Sequence, residues 1–208
     1  MTVAQIVNFI ENNPNVPAEG ILEFIQTPIV KVNTNGTTYK SAGKLHREDG
    51  PALIRPGVGR YWYKHGRIHR EDGPAIEWND GSKEWYLNGK LHREDGPAKE
   101  LNDGSNEWRI KGKLHREDGP ALEYINERKD WRIKGKLHRE DGPAREYANG
   151  SKEWWRQDKR HRTDGPAIEL TDGTQKWFLN GRLHRENGPA VEGSDGSKYW
   201  YLNGVFKK

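Results

Sequence analysis

The segment that decides the fold is residues 45–52, with the sequence Leu-His-Arg-Glu-Asp-Gly-Pro-Ala. Its histidine is the first of a series that recurs every 23 residues without insertion or deletion, at His46, His69, His92, His115, His138, His161 and His184. A fixed period of this length is typical of proteins in which one supersecondary unit buries its apolar face only by stacking on the next copy. The sequence therefore predicts seven stacked copies.

A tryptophan recurs with the same period and gives each copy one large apolar side chain. Hydrophobic residues make up only 32% of the 208-residue chain, a content that on its own is typical of disordered proteins. The periodic tryptophans are Trp62, Trp85, Trp108, Trp131, Trp154, Trp177 and Trp200. Burial of one tryptophan removes roughly 200 Å² from water, or about 5 kcal/mol at about 25 cal/mol per Å². Because this is too little to order a copy alone, we expect neighbouring copies to stabilise one another.

The turn residues within a copy predict β-hairpins. The second copy carries Asn-Asp-Gly at residues 79–81 and Asn-Gly at residues 88–89, and both sequences tolerate the positive φ that hairpin turns need. A three-residue loop with a bulge places Glu77 opposite Lys83, whereas a two-residue loop would place Glu77 opposite Glu84. We predict the bulged register because it pairs opposite charges.

This register places Ala75, Trp85 and Leu87 on one face of the sheet, which we predict to be the core. The fold class is therefore mainly β: an elongated, twisted antiparallel meander of seven β-hairpin repeats over residues 30–208. Whether the array stays open or curls into a tube is left open. Residues 1–29 carry apolar side chains at helical spacing and are predicted to form a small N-terminal helical cap, with an effector role as the alternative.

The repeated His-Arg-Glu-Asp sequence resembles acid–base or metal-binding machinery, but its repetition favours a structural role. A catalytic centre is a single asymmetric constellation, whereas arginine follows histidine in all seven copies and Gly-Pro-Ala closes all seven. The chain has no cysteine, so it offers no thiolate nucleophile or thiolate metal ligand. We expect no catalytic residue, no metal and no cofactor, and we do not expect an enzyme.

The candidate binding residues are those that vary between copies on the face opposite the tryptophans. The residue after each tryptophan is aromatic or arginine, and the irregular fifth copy adds two further arginines that suit an acidic partner. The predicted partner-binding residues are Tyr63, Tyr86, Arg109, Arg132, Trp155, Arg156, Arg160, Phe178 and Tyr201. Aromatic and arginine side chains are typical of protein interfaces and of grooves for single-stranded nucleic acid. The alternative is a second apolar face that closes against itself.

The repeat resembles the MORN-type repeat over residues 33–208. The shared features are the 23-residue period, an Asn-Gly-Lys sequence followed by histidine, and an Asp-Gly turn before an aromatic residue. The chain differs in carrying Glu-Trp and His-Arg-Glu-Asp-Gly-Pro where MORN repeats carry glycines around the aromatic strand and His-Gly. Arrays of this kind are similar to uncharacterised repeat proteins of bacteriophages and giant viruses. The resemblance implies a ribbon of β-hairpins that contacts another protein, with lipid binding often suggested for such repeats.

Together these observations predict a non-enzymatic scaffold that binds a protein partner. A host protein contacted by a viral one is the candidate partner, and single-stranded nucleic acid is the second choice. Acidic residues balance basic ones in every copy, so we expect no strong cationic face and no membrane binding. Because the sequence lacks a basic-then-apolar N-terminal pattern and any long apolar run, we expect no signal peptide and no membrane span. We expect a cytoplasmic protein, and its oligomeric state stays open.

Overall fold

The structure is a computed structural model that describes residues 3–26 and 29–207. Residues 1–2 and 27–28 of the predicted cap lie outside the described residues, as does Lys208 of the predicted array. The chain forms two compact units, of which unit 1 ends at His92 and unit 2 begins at Arg93.

Two short helices open unit 1, as predicted: α1 spans Val3–Asn12 and α2 spans Ala18–Gln26. Val7 and Ile10 of α1 and Leu22 of α2 are exposed. The helical prediction is confirmed, while the capping role of this segment stays a prediction. Among the described residues, neither helix is long and apolar enough to cross a membrane.

The rest of unit 1 consists of short strands joined by tight turns. The strands are β1 (Ile29–Asn33), β2 (Gly36–Ser41), β3 (Lys44–Leu45), β4 (Leu53–Arg55), β5 (Gly59–Tyr61), β6 (Tyr63–Lys64), β7 (Arg67–Ile68), β8 (Ile76–Trp78), β9 (Lys83–Glu84), β10 (Tyr86–Leu87) and β11 (Lys90–Leu91). Strands β1, β2, β4, β5, β8 and β9 pair in that order as an antiparallel meander. The pairs β2–β3, β6–β7 and β10–β11 form additional hairpins.

Unit 2 repeats the same pattern over four further copies. Its strands are β12 (Lys99–Glu100), β13 (Asn106–Glu107), β14 (Arg109–Ile110), β15 (Lys113–Leu114), β16 (Leu122–Glu123), β17 (Lys129–Asp130), β18 (Arg132–Ile133), β19 (Lys136–Leu137), β20 (Arg145–Glu146), β21 (Lys152–Glu153), β22 (Trp155–Arg156), β23 (Lys159–Arg160), β24 (Ile168–Glu169), β25 (Gln175–Lys176), β26 (Phe178–Leu179), β27 (Arg182–Leu183), β28 (Val191–Glu192), β29 (Lys198–Leu202) and β30 (Val205–Lys207). The mainly β antiparallel meander is thus confirmed.

The predicted register is also confirmed. Glu77 faces Lys83 across the β8–β9 pair, and the same pairing of opposite charges joins Glu123 to Lys129 in unit 2. Each copy contributes a first hairpin, which carries the Asn-Asp-Gly type of turn and belongs to the main sheet of its unit. A second, shorter hairpin with the Asn-Gly type of turn follows directly after the tryptophan. Both of the predicted turn sequences of a copy therefore close a hairpin.

The His-Arg-Glu-Asp-Gly-Pro sequence forms a loop that projects from the sheet. The residues on either side of this loop both bond the backbone of one tryptophan. His115 N–H donates to the carbonyl oxygen of Trp108 at 3.0 Å, and Trp108 N–H donates to that of Ala121 at 2.9 Å. Residues 116–120 therefore bulge out between two residues that bond the same tryptophan. We call this five-residue segment of each copy the motif loop.

Both faces of the sheet bury side chains, in agreement with the alternative of a second apolar face. The alanine after each motif loop is confirmed in the core, since Ala75 and Ala121 are completely buried. On the opposite face, Leu122 is paired with Asp130 and both are buried, the aspartate completely. The periodic tryptophans before Trp200 are half-buried. Alternation along a strand predicts which side chains share a face of the sheet, but it does not predict whether that face is buried.

Candidate interaction surfaces

The arginine of each motif loop is the centre of a set of contacts. In unit 2, the guanidinium carbon of Arg116 lies 4.1 Å from the centroid of the Trp108 ring. Arg116 donates to Asp118 at 2.9 Å, to the carbonyl oxygen of Pro120 at 3.4 Å and to Glu123 at 3.2 Å. The hydrogen bond and charge of Arg116 hold the pKa of Asp118 below its ordinary value. The arginine, both acids and the tryptophan therefore serve the fold.

The same stacking recurs along each unit. The distance from the guanidinium carbon to the ring centroid is 4.0 Å for Arg47 on Tyr39, 4.3 Å for Arg70 on Trp62, 4.2 Å for Arg139 on Trp131, 4.0 Å for Arg162 on Trp154 and 3.8 Å for Arg185 on Trp177. The loop glycine faces this guanidinium, since a Cβ on Gly119 would lie 2.8 Å from Cζ of Arg116. The glycine is needed for this close approach, because any side chain there would displace the arginine.

The histidine that precedes the loop arginine is a hydrogen-bond acceptor in several copies. Nδ1 of His115 accepts the backbone N–H of Lys134 at 3.2 Å, and Nδ1 of His184 accepts that of Asn203 at 3.1 Å. The other nitrogen, Nε2 of His115, lies 3.6 Å from Glu117. An accepting Nδ1 requires a neutral imidazole that carries its proton on Nε2. Within the described residues, no group of three His, Cys, Asp or Glu side chains could hold a metal ion.

The fifth copy replaces the turn glycine by Asp158 and compensates within the turn. Gln157 and Asp158 both adopt left-handed φ angles, 51° and 61°. The carboxylate of Asp158 accepts the backbone N–H of Leu137 at 2.8 Å, and Asp158 N–H donates to the carbonyl oxygen of Leu137. In this copy Nδ1 of His138 is buried without a hydrogen-bond partner. The irregular turn is therefore accommodated at the expense of one histidine contact.

The predicted partner-binding arginines in unit 2 are largely engaged by acids of the same face. Arg109 bonds Glu107 at 2.6 Å and the carbonyl oxygen of Gly112 at 2.9 Å. Arg132 bonds Asp130 at 3.1 Å and the carbonyl oxygen of Gly135 at 3.0 Å. These contacts fix both side chains against their own strands, so a partner would meet them only in part.

The predicted residues of the fifth and later copies form a second cluster around Glu153. Trp155 donates its indole N–H to Glu153 at 2.8 Å, and Arg160 bonds the same carboxylate at 3.3 Å. Arg160 also lies over the rings of Trp155, at 4.8 Å, and Phe178, at 5.6 Å. Arg156 differs from these residues, because it is about half exposed and lies 3.9 Å from Glu140.

The remaining predicted residues are aromatic and half-buried. In unit 1 the hydroxyl of Tyr86 donates to Glu84 at 2.9 Å. Tyr63 occupies the equivalent position in β6 of the preceding copy. In unit 2 Tyr201 packs edge-on against Phe206 with ring centroids 5.4 Å apart. The structure thus gathers the predicted residues into local clusters of each copy, and contact with a partner stays a prediction for all nine.

Sequence analysis missed the residue that precedes each tryptophan. In unit 2 we call Glu107, Asp130 and Glu153 the carboxylate column, and these acids are buried or half-buried. Asp130 contacts Arg128 at 3.2 Å, Arg132 at 3.1 Å and Arg145 at 3.0 Å. Burial alone would raise the pKa of Asp130, but the hydrogen bonds from Arg145 and Arg128 hold it below its ordinary value. The 23-residue recurrence of acids before tryptophan was the available signal.

A second feature that sequence analysis missed is a row of basic residues at the tips of the second hairpins. The residue two positions before each motif histidine is basic and exposed in all seven copies: Lys44, Arg67 and Lys90 in unit 1, and Lys113, Lys136, Lys159 and Arg182 in unit 2. We call the four residues of unit 2 the basic tip column. Within the part of the chain that the structure describes, none of these four forms an ion pair.

The basic tips are stacked copy upon copy. Cβ of Lys113 lies 3.9 Å from the position that a Cβ on Gly135 would occupy, and Cβ of Lys159 lies 3.6 Å from the corresponding position on Gly181. Each basic side chain thus starts beside the turn glycine of the next copy. Lys134, which precedes Gly135, is exposed as well and adds a further positive charge to this edge.

Acidic residues occupy the other end of the same strands. Asp172 and Asp195, at the tips of the first hairpins, accept backbone N–H groups of Thr174 and Ser197, and these hydrogen bonds keep the aspartate pKa values below ordinary. Residues 128–133 separate a first-hairpin tip from a second-hairpin tip, which corresponds to about 20 Å of extended chain. These aspartates and the basic tip column thus lie at different hairpin tips of unit 2, while exposed lysines such as Lys129 and Lys152 also lie in the first hairpins.

Comparison with known proteins adds no family assignment. No protein-family model matches the chain, and no curated protein matches it.

Proposed function

We propose that the chain is a non-enzymatic repeat scaffold that binds another protein through side chains that its framework leaves exposed. The observation that carries this proposal is the division of labour within a copy. The loop arginine, its two acids, the histidine and the tryptophan are held by contacts inside the unit, as Arg116 and Trp108 illustrate. The four residues of the basic tip column, in contrast, are exposed and form no ion pair within the described residues.

The repetition of the motif argues against catalysis. Three copies of unit 2 hold the loop arginine and aspartate in nearly the same geometry, with distances of 2.9 Å from Arg116 to Asp118, 2.9 Å from Arg139 to Asp141 and 3.0 Å from Arg162 to Asp164. Such a set provides no single site where one substrate would be treated differently from the rest of the surface. A rigid array that presents variable side chains at regular intervals suits recognition of an extended partner.

The nine predicted partner-binding residues enter this proposal with different weights. Arg156 is about half exposed and lies in the copy that also presents Lys159, so it can contact a partner directly. Arg109, Arg132 and Arg160 each bond a carboxylate inside the unit, so they contribute mainly by holding the strands that carry the tips. The resemblance to repeat arrays of bacteriophages and giant viruses makes a host protein the first candidate partner.

Affinity capture tests the proposal. The tagged full chain is incubated with cell lysate at about 50 mM and about 200 mM salt, with and without nuclease. We expect one protein in near-equimolar amount that survives nuclease treatment. Recovery of nucleic acid that is lost at the higher salt concentration would replace the proposal by the single-stranded nucleic-acid hypothesis. Capture of neither would contradict both.

A further inference from the structure

We propose that the basic tip column of unit 2 binds an extended acidic peptide segment of the partner, with about one carboxylate for each copy. This inference rests on the proposed function and specifies the chemistry of the partner. The column consists of Lys113, Lys136, Lys159 and Arg182, which recur with the 23-residue period and are all exposed. Lys134, in the same turn as Lys136, adds a further positive charge.

The spacing of the column matches an extended peptide. Each copy adds two strands to the main sheet of unit 2, as in the β13–β16 and β16–β17 pairs. Neighbouring strands lie about 4.8 Å apart, so consecutive copies are separated by about 10 Å. An extended chain advances about 3.3 Å per residue, and three residues therefore span one copy. A segment with Asp or Glu at every third position, or a continuous acidic run, places one carboxylate beside each basic residue.

The surroundings of the column favour a narrow ligand. Backbone N–H of Arg116 bonds the carbonyl oxygen of Arg132, only two residues before Lys134, and Glu117 follows Arg116 in the loop. The motif loop that carries the exposed Glu117 is therefore attached to the sheet at Arg132. This residue lies two positions, or about 7 Å of extended chain, from Lys134 at the tip. Glu140 and Glu186 occupy the equivalent positions in other copies and are exposed too.

A wide polyanion would contact the exposed glutamates of the motif loops as well as the basic tip column. The major groove of a DNA duplex alone is about 12 Å wide, and a membrane surface extends without limit on the same scale. Both would gain attraction from the lysines and lose it again at the glutamates. A single extended strand is about 4.8 Å wide by its own sheet spacing and can follow the basic residues alone.

The residue types at the tips point to charge recognition. The tip residues 111–113, 134–136, 157–159 and 180–182 of unit 2 contain no aromatic side chain. Proteins that bind single-stranded nucleic acid rely on aromatic rings for base stacking, which these tips do not offer. Lysine, at three of the four column positions, is a flexible point charge that pairs with a carboxylate without demanding one fixed geometry.

The test uses the full chain and a defined probe. A labelled oligo-glutamate peptide of about 12 residues, which spans three intervals of about 10 Å, is titrated with the chain and followed by fluorescence anisotropy. The tip variant carries Lys113→Gln, Lys136→Gln and Lys159→Gln. Because each exposed ion pair contributes little by itself, three together are expected to lower the affinity about tenfold.

A control variant removes three other exposed lysines from the same unit. It carries Lys129→Gln, Lys152→Gln and Lys198→Gln, which lie in the first hairpins and face glutamates across the sheet. The change in net charge is the same as in the tip variant. We expect the control to bind the peptide within about twofold of the unchanged chain. Thermal unfolding followed by circular dichroism verifies that both variants fold.

Three results would overturn the inference. The first is no measurable binding of the peptide by the unchanged chain, and the second is an equal loss of affinity in the two variants. The third is tighter binding of a duplex of about 20 base pairs, or of phosphatidylserine vesicles, with loss of that binding in the tip variant. Lysate capture with the tip variant separates this inference from the proposed function. A partner that is still captured would leave the proposed function intact and refute the tip column as its binding surface.

Discussion

Asp130 provides the sharpest test of the buried charges in unit 2. This carboxylate is completely buried and is surrounded by three guanidinium groups. Arg145 contacts it through Nε and Nη2, both at 3.0 Å, while Arg128 and Arg132 approach from the same copy at 3.2 and 3.1 Å. Replacing Asp130 by Asn keeps the volume of the side chain and removes its charge. The three arginines then lose their shared counter-charge.

The expected cost follows from the exposure of these partners. Removing one member of a buried ion pair typically costs about 3–5 kcal/mol. The side chains of Arg145, Arg132 and Arg128 are 17%, 20% and 34% exposed, so water can compensate part of the lost interaction. We therefore expect Asp130→Asn to lower the free energy of unfolding by about 2–4 kcal/mol. Because the pKa of Asp130 is held below its ordinary value, this difference is present at pH 7 and narrows as pH falls below about 4.

The assay is urea unfolding followed by circular dichroism and tryptophan fluorescence. Asp118→Asn is the matched control, since Asp118 also pairs with an arginine, Arg116, but its side chain is 85% exposed. We expect a much smaller shift of the unfolding midpoint for the control than for Asp130→Asn. Equal shifts in the two variants, or no shift for Asp130→Asn, would refute the assignment of Asp130 to a charged core.

Three further predictions concern the motif loops. Arg139→Lys should lower the free energy of unfolding by about 1–3 kcal/mol. Lysine cannot stack on Trp131 and at the same time bond two acids and a carbonyl oxygen. A urea unfolding midpoint equal to that of the unchanged chain would contradict this prediction. Gly142→Ala should cost about 1–2 kcal/mol, because its Cβ would lie 2.9 Å from Cζ of Arg139 and displace it, and this cost should largely vanish in an Arg139→Ala background. The loop arginines hold the pKa values of Asp118, Asp141 and Asp164 below their ordinary value, so the folded chain binds protons less readily than the unfolded chain. The thermal unfolding midpoint should therefore fall as pH decreases from about 5 to about 3. A constant midpoint over this pH range would count against these ion pairs.

The sequence predicts the local structure of the array well because that structure depends on turn chemistry and pair charges. The Asn-Asp-Gly turn and the pairing of Glu77 with Lys83 fix the register, and the structure has this register. Alternation along the strands then places the alanines in the core, where Ala121 is completely buried. These features need only neighbours within one copy.

The features that the sequence did not predict depend on contacts between copies. Asp130 is buried because Arg145 of the next copy reaches back to it, and a charged residue on an apparently polar face gives no sign of this on its own. The basic tip column was hidden because Lys136 and Glu140 lie four residues apart in sequence and cancel in any count of charge. Folding separates them, since the lysine occupies a hairpin tip and the glutamate a motif loop.

The central claim is that the motif loops build the scaffold while the basic tips of unit 2 bind the partner. The most direct test is quantitative lysate capture with three baits in parallel: the unchanged chain, the tip variant and the control variant. The account predicts that the protein retained by the unchanged chain is also retained by the control variant and is lost with the tip variant, while all three baits unfold at similar temperatures. Equal retention by the tip and control variants would contradict the claim.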